Sequence, residues 1–367
     1  MRRIQSEGPL SFEDFMETAL YFPRLGYYTK ETTTIGREGD FYTSPHLHPL
    51  FGAMIGKQME EMWNLLDRPS EFRIVEMGAG AGHLAKDMLD YLKGREIFAS
   101  VNYSIIELNP AVKAHQELLL GDFINKVQWL DRLKDAGPIT GCFISNELLD
   151  AFPVRIVEMS EKLQEIYVSL SDNHEFVETR KDCSREVMEY FSEFSVNISK
   201  VMERGYRTEV NLRIREWLKD ISASLDRGFV LTVDYGYPAD EYYSRERNRG
   251  TFLCYHKHQI NENPYINIGE QDMTAHVNFS SVKKWGERAG LTTKGFAPQG
   301  TYLISLGADE VIADMPQLAG DAFEMAKIKG LLFPEGMGES HKVMIQYKGG
   351  GDIRLRGFEL RNRMKYL

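Results

Sequence analysis

The chain has 367 residues, 43% of them hydrophobic, enough for one large domain or two of ordinary size. With 44 basic against 54 acidic residues its net charge is −10, which argues against a general nucleic-acid binder and suits a basic peptide partner. Three widely separated cysteines, Cys142, Cys183 and Cys254, speak against a disulfide framework or a cysteine zinc module, and no apolar run approaches the roughly 18 residues of a membrane-spanning helix.

The first residues carry basic side chains without an apolar core, so no secretory signal is expected and a cytoplasmic chain is. Ser11 and Asp14 form an S-x-x-D capping pattern ahead of Phe12, Phe15, Met16, Ala19 and Leu20, which recur at helical spacing up to the stop before Pro23. Residues 29–49 are polar, with threonine, glycine and histidine, and predict a long functional loop. A second helix is expected at about 50–66, with Phe51, Ile55, Met62 and Leu66 on one face.

Phe72 to Val75 then read as a buried strand that ends in Glu76 and in three glycines at alternate positions, Gly78, Gly80 and Gly82. Leu84, Met88, Tyr91 and Leu92 resume helical spacing immediately afterwards. The dinucleotide fingerprint G-x-G-x-x-G requires a third glycine where His83 stands, so the turn is E-x-G-x-G-x-G instead. Asn102 to Leu108 is a second strand, with the acid Glu107 near its end and a proline-initiated helix behind it. Short strands follow at 127–130 and 141–147, giving the strand–helix alternation of a parallel sheet.

After Pro153 the pattern changes. Residues 154–181 predict two or three short antiparallel strands, followed by helices at about 184–202 and 209–225. The parallel pattern resumes in the strand 228–236, which ends at Asp234 and Tyr235. A second insertion, 237–278, is rich in aromatics; a helix at 280–289, a strand near 291–297, a helix around 317–331 and a last strand at 341–347 complete the chain.

The E-x-G-x-G-x-G turn resembles motif I of class I S-adenosylmethionine (SAM) methyltransferases. The resemblance implies that Gly78, Gly80 and Gly82 hold the methionine portion of SAM, with Glu76 reaching its ammonium and Glu107 accepting from both ribose hydroxyls. Trp129 or Leu130 would cover the adenine, Asp131 would take its amino group, and Asn146 would stand beside the donor. Glu147 and Asp150, in the polar segment Ser145 to Pro153, are the candidate acceptor-binding carboxylates. If the acceptor is a guanidine, carboxylates clamping it would fix the geometry and draw its charge onto the non-reacting nitrogens. His256, His258, Asp272 and His276 lack a compact ligand spacing, so no metal is expected.

Further motifs extend the likeness along nearly the whole chain: Gly8-Pro9-Leu10-Ser11, Phe22 to Tyr28, Gly39 to Pro45, Asn146 to Pro153, Val233 to Gly236, Arg249-Gly250-Thr251, Gly269 to Val277, and Met337-Gly338-Glu339. They resemble the MidA-like family, which includes the mitochondrial complex I assembly-factor arginine methyltransferases. The resemblance implies an α/β fold, a Rossmann-like class I SAM-dependent methyltransferase sheet with an N-terminal helical and loop extension and inserted α+β segments. Residues 1–66 would form N-terminal helices and an active-site loop. Residues 67–153 and 226–367 would form the SAM-binding core, with the insertion at about 237–278, and 154–225 an inserted hairpin and helices. The loop at 29–49 and the 237–278 insertion are expected to close over donor and substrate. The implied activity is methylation of protein arginine; a small molecule or another side chain as acceptor, or an assembly factor that binds SAM without catalysis, are the alternatives. Composition argues against nucleic acid and membrane insertion and permits a homodimer. The next acid after the N-E-L-L-D segment is Glu158, which departs from the two-glutamate loop of symmetric arginine methyltransferases.

Overall fold

The computed structural model describes residues 1–30, 44–315 and 321–367, without the side chain of His46. Most of the expected 29–49 loop and the first residues of the helix expected at 317–331 lie outside the described residues. The chain divides into two compact units: Met1–Thr33, Leu149–Glu216 and Tyr237–Val282 form one, and Thr34–Leu148, Trp217–Gly236 and Lys283–Leu367 form the other.

The second unit is organised by a sheet of strands β1 (Phe72–Met77), β2 (Val101–Ile106), β3 (Val127–Leu130), β4 (Ile139–Asn146), β5 (Leu225–Tyr237), β6 (Thr292–Pro298) and β7 (His341–Lys348). Their order is β6-β7-β5-β4-β1-β2-β3. Strands β1 to β5 pair in parallel, and β7 runs antiparallel to both of its neighbours. The chain leaves β1 toward β2 and β3, then returns to lay β4 on the other side of β1. The carboxyl ends of β1 and β4 therefore flank the switch point at which ligands of such sheets bind.

The apolar runs of β1, β2, β4, β5 and β7 are buried on both faces, as a sheet covered by helices requires, while β3 at the edge is half-buried. Helices α1 (Leu50–Leu65), α2 (His83–Leu92) and α3 (Pro110–Leu119) belong to this unit. The core joins Phe51, Met54 and Ile55 of α1 and Leu84, Met88 and Leu89 of α2 to Ile74, Tyr103, Phe229 and Ile345 of the sheet. Each fully buried large apolar side chain stabilises the unit by about 1.5–3 kcal/mol. A Cβ on Gly52 would stand 2.4 Å from that of Asp87, so only glycine lets α1 approach α2 this closely. The stretch between β6 and the final helix, given no element in the sequence reading, forms the helices Gln299–Ser305 and Ala308–Ala313. Ala322–Leu332 is helical, as the pattern around 317–331 predicts.

In the first unit, Arg155–Met159 lies between Leu163–Leu170 and Arg207–Val210, and Leu163–Leu170 also pairs with Phe176–Asp182 and Leu10–Ser11. The Ser11 hydroxyl accepts from the Asp14 amide at 3.1 Å and caps the helix Phe12–Tyr21. That helix buries Phe12, Phe15, Met16, Ala19 and Leu20 against Val154, Ile156, Ile166 and Val168. The helix expected at 184–202 is broken: Arg185–Glu193 ends before Ser195, whose φ is 55°, and a short turn of helix resumes at Ile198–Val201. The helix expected from 209 begins at Arg213, because Arg207–Val210 is taken into the sheet beside Arg155–Glu158. Asn211 then caps the helix by accepting from the Arg213 amide at 3.1 Å. The 237–278 insertion carries a small sheet in which Leu253–His256 lies between Gln259–Asn261 and Asp272–Thr274.

Candidate active site

The loop after β1 turns through three left-handed glycines, Gly78 at φ 68°, Gly80 at φ 54° and Gly82 at φ 88°, before α2 begins. Residues with a Cβ adopt this conformation only at a cost of about 1–2 kcal/mol each. The turn bares backbone at the switch point beside the carboxyl end of β4.

Glu76, the penultimate residue of β1, is 2% exposed and accepts from the Tyr103 hydroxyl at 2.7 Å. Burial pushes its carboxyl up to about 7, and the Tyr103 hydrogen bond offsets only part of that. Glu107 follows β2, half-buried. Its carboxylate accepts from the Asn109 amide at 2.8 Å and the Gln116 amide group at 3.4 Å, and burial again raises its pKa. Trp129 and Leu130, at the end of β3, are half-buried, and Asp131 is exposed beyond them.

One residue ties these parts together. Gln116, fully buried on α3, donates to the Gly80 carbonyl at 2.8 Å and accepts from the Trp129 indole N–H at 2.8 Å. The same amide reaches Glu107, and a Cβ on Gly82 would come within 3.3 Å of the Gln116 Cγ. The glycine turn, the acid after β2 and the tryptophan of β3 are thus held in register by a single side chain. Sequence reasoning missed it.

At the end of β4, Asn146 is buried and its Oδ1 has no hydrogen-bond partner. Glu147 follows in the left-handed region at φ 49°. The conformation is fixed from both sides: the Glu147 amide donates to the Val233 carbonyl at 2.8 Å and the Leu148 amide to the buried Asp234 carboxylate at 3.2 Å. A non-glycine residue held this way stores about 1–3 kcal/mol of strain, a frequent mark of functional positions. The Glu147 side chain is 9% exposed, and its Oε1 accepts from the Ser44 amide at 3.2 Å. The His341 Nε2 stands 3.6 Å from the same oxygen.

Asp150 belongs to the other unit. There it is buried and its backbone carbonyl accepts from the Ala275 amide at 2.9 Å. The Tyr28 hydroxyl contacts both oxygens of Asp272 at 2.8 Å, and the Tyr21 ring stacks on that of Tyr28. Burial, then the charges of Asp272 and Asp150, raise the Tyr21 phenol well above its usual range. The structure therefore groups Glu147 with Asn146, Ser44 and His341, and Asp150 with Asp272 and the tyrosines. Among the described residues no three His, Cys, Asp or Glu side chains stand together as a metal would need, and no helix is long and apolar enough to cross a membrane.

A parallel sheet with a reversed final strand, a glycine turn after β1 and an acid after β2 defines a class I methyltransferase. The comparisons agree. Residues 54–297 match the family described as "Putative S-adenosyl-L-methionine-dependent methyltransferase", and the chain belongs to that family. A solved Burkholderia thailandensis superfamily member bound to S-adenosyl-homocysteine superposes with a TM-score of 0.90 at 30% identity, covering 100% of this chain and 95% of that one. The Drosophila melanogaster protein named "Protein arginine methyltransferase NDUFAF7 homolog, mitochondrial" is 25% identical over 95% of this chain and 83% of its own. The Homo sapiens "Protein arginine methyltransferase NDUFAF7, mitochondrial" is 24% identical over 84% of this chain and 72% of its own.

The cofactor is SAM, and the residues present fit it. Glu76 is a buried carboxylate without a basic side chain among its hydrogen-bond partners, and Asn146 offers a buried acceptor without a donor. Both suit the ammonium end of an amino acid. Glu107 retains lone pairs for hydroxyl donors beyond its contacts to the Asn109 and Leu108 amides and Gln116, and Trp129 offers an oriented apolar face.

Proposed function

We propose that the chain methylates the side chain of arginine in a protein. The observation that carries this reading is Glu147, a carboxylate locked in a left-handed turn next to the orphan acceptor Asn146 at the carboxyl edge of the sheet. The curated relatives named protein arginine methyltransferases support it.

A guanidinium keeps its proton above pH ~12 and is a poor nucleophile while its charge is evenly spread. Glu147 would hold two of its N–H groups, draw the charge toward them and leave the third nitrogen richer in electrons. Bound SAM supplies the electrophilic methyl group on a sulfonium. The Ser44 amide on Glu147 Oε1, with the Glu147 and Leu148 amides tied to Val233 and Asp234, keeps the carboxylate from turning away, so the geometry is set before the acceptor arrives.

The test is transfer of labelled methyl groups from SAM by the purified chain into proteins of a cell extract, followed by hydrolysis and amino-acid analysis. Label in Nω-methylated arginine is expected. Label confined to lysine, to carboxyl esters or to small molecules would replace this reading with another acceptor.

A further inference from the structure

We propose that His341 is the group that takes up the proton released when an arginine bound to Glu147 is methylated. The inference rests on the proposed arginine activity and extends it to a residue that opens the last strand, β7.

Three observations place His341 in this role. Its ring is buried, with the side chain 8% exposed, and its Nε2 has no hydrogen-bond partner while standing 3.6 Å from Glu147 Oε1. Its Nδ1 lies 3.1 Å from the Ser340 hydroxyl, which can donate or accept, so either tautomer and the imidazolium are accommodated. The ring is also held edge-to-face against Tyr235 at 5.3 Å, which fixes the direction of Nε2. A buried imidazole nitrogen without a partner is costly unless a ligand or a proton engages it.

Glu147 approaches the imidazole from the end of β4. Tyr235 faces it from β5, where its register partner is His341 itself. On β7 the next residue is Lys342, whose ammonium is turned back onto the Glu339 carbonyl, while the Glu339 carboxylate pairs with Arg363 at 3.2 Å. Asp234, opposite Lys342, gives its carboxylate to the amides of Leu148 and Tyr235. Glu147 is the carboxylate that stands at 3.6 Å from the imidazole.

The step balances. The acceptor nitrogen forms a bond to the methyl carbon as the carbon–sulfur bond breaks, and that electron pair remains on sulfur. The guanidinium and sulfonium bring two positive charges; the methylguanidinium product keeps one. The other leaves as the proton of the reacting nitrogen, taken by the unpartnered His341 Nε2 beside the Glu147 clamp, and the imidazolium later returns it to water.

His341→Gln keeps a polar side chain but cannot carry the proton. With an arginine peptide it should lower kcat about 100-fold, the usual weight of a positioned acid–base group. KM should stay within about two-fold, because ground-state binding is untouched. The limb of the native kcat profile that falls toward acid, where His341 is already protonated, should vanish. Binding of S-adenosyl-homocysteine by calorimetry should be unchanged. Independently, labelled-histidine NMR of the full chain should show the His341 ring signals displaced in Glu147→Gln, as loss of the carboxylate 3.6 Å from Nε2 requires. Native kcat in His341→Gln, a surviving acid limb or unmoved His341 ring signals in Glu147→Gln overturns this inference while arginine methylation by the native chain stands. Failure of the native chain to methylate any arginine overturns both readings.

Discussion

Replacing Gln116 with leucine tests the idea that one side chain holds the cofactor edge in register. Leucine keeps roughly the shape that packs beneath Gly82 but removes the amide that donates to Gly80 and accepts from Trp129. A polar group stripped of its partner in a buried setting costs about 1–3 kcal/mol, and two such groups are left. Gly80 and Trp129 are only half-buried, so water re-partners them in part and the lower end, about 2 kcal/mol in all, applies. If that is recovered only when the turn and the indole are re-ordered by the ligand, affinity falls about 30-fold, at tenfold per ~1.4 kcal/mol. The assay is calorimetric titration with S-adenosyl-homocysteine, with a thermal melt of the unliganded chain to separate lost folding stability from lost binding. Gln116→Glu sharpens it: a carboxylate still accepts from Trp129 but cannot donate to Gly80 and faces Glu107, so its affinity should recover as the new acid is protonated. A Gln116→Leu chain that binds within about two-fold of native would refute the reasoning, because the amide would then order nothing the ligand uses.

Glu107→Ala should weaken SAM by about tenfold or more, the worth of one charge-assisted hydrogen bond; undiminished affinity would remove its ribose role. Glu76, with a carboxyl raised to about 7, holds its proton in the folded chain over a range where the unfolded chain has lost it. Its contribution to stability is therefore full below about pH 4.5 and declines as pH rises to about 7. Glu76→Gln should remove that decline in urea denaturation of the cofactor-free chain, and SAM binding near pH 6 should release a proton from native Glu76 as its ammonium arrives. An unchanged slope, together with no proton release across buffers of different ionisation enthalpy, would contradict this. Glu147→Gln should bind SAM normally and lose methyl transfer; full activity would disprove its acceptor role.

The sheet was legible because its signals are local. Three apolar residues (Phe72, Ile74 and Val75), an acid and alternating glycines around Gly78 announce strand, turn and ligand edge within a dozen positions. Glu107 follows from its place after the next strand. Gln116 does not, because on α3 it reads as one polar residue of an amphipathic helix, and its meaning lies in Gly80, Glu107 and Trp129, which are distant in sequence. His341 is equally silent: a histidine opening a final strand acquires a role only when β7 is laid beside β5 and brings it to Glu147. The misread start of the 213–224 helix has the opposite cause. Val210 stands four residues before Ile214, in step with the apolar face of the helix, and pairing of Arg207–Val210 with Arg155–Glu158 overrides that local preference.

On this reading the carboxyl edge of β1 to β4 holds the methyl donor. Ultraviolet cross-linking of labelled SAM to the native chain, followed by peptide mapping, tests it most directly. Label is predicted on peptides containing the 76–82 turn, the Glu107–Gln116 segment or Trp129, and displaced by excess S-adenosyl-homocysteine. Displaceable label confined to peptides of the first unit, such as 154–182, would contradict it.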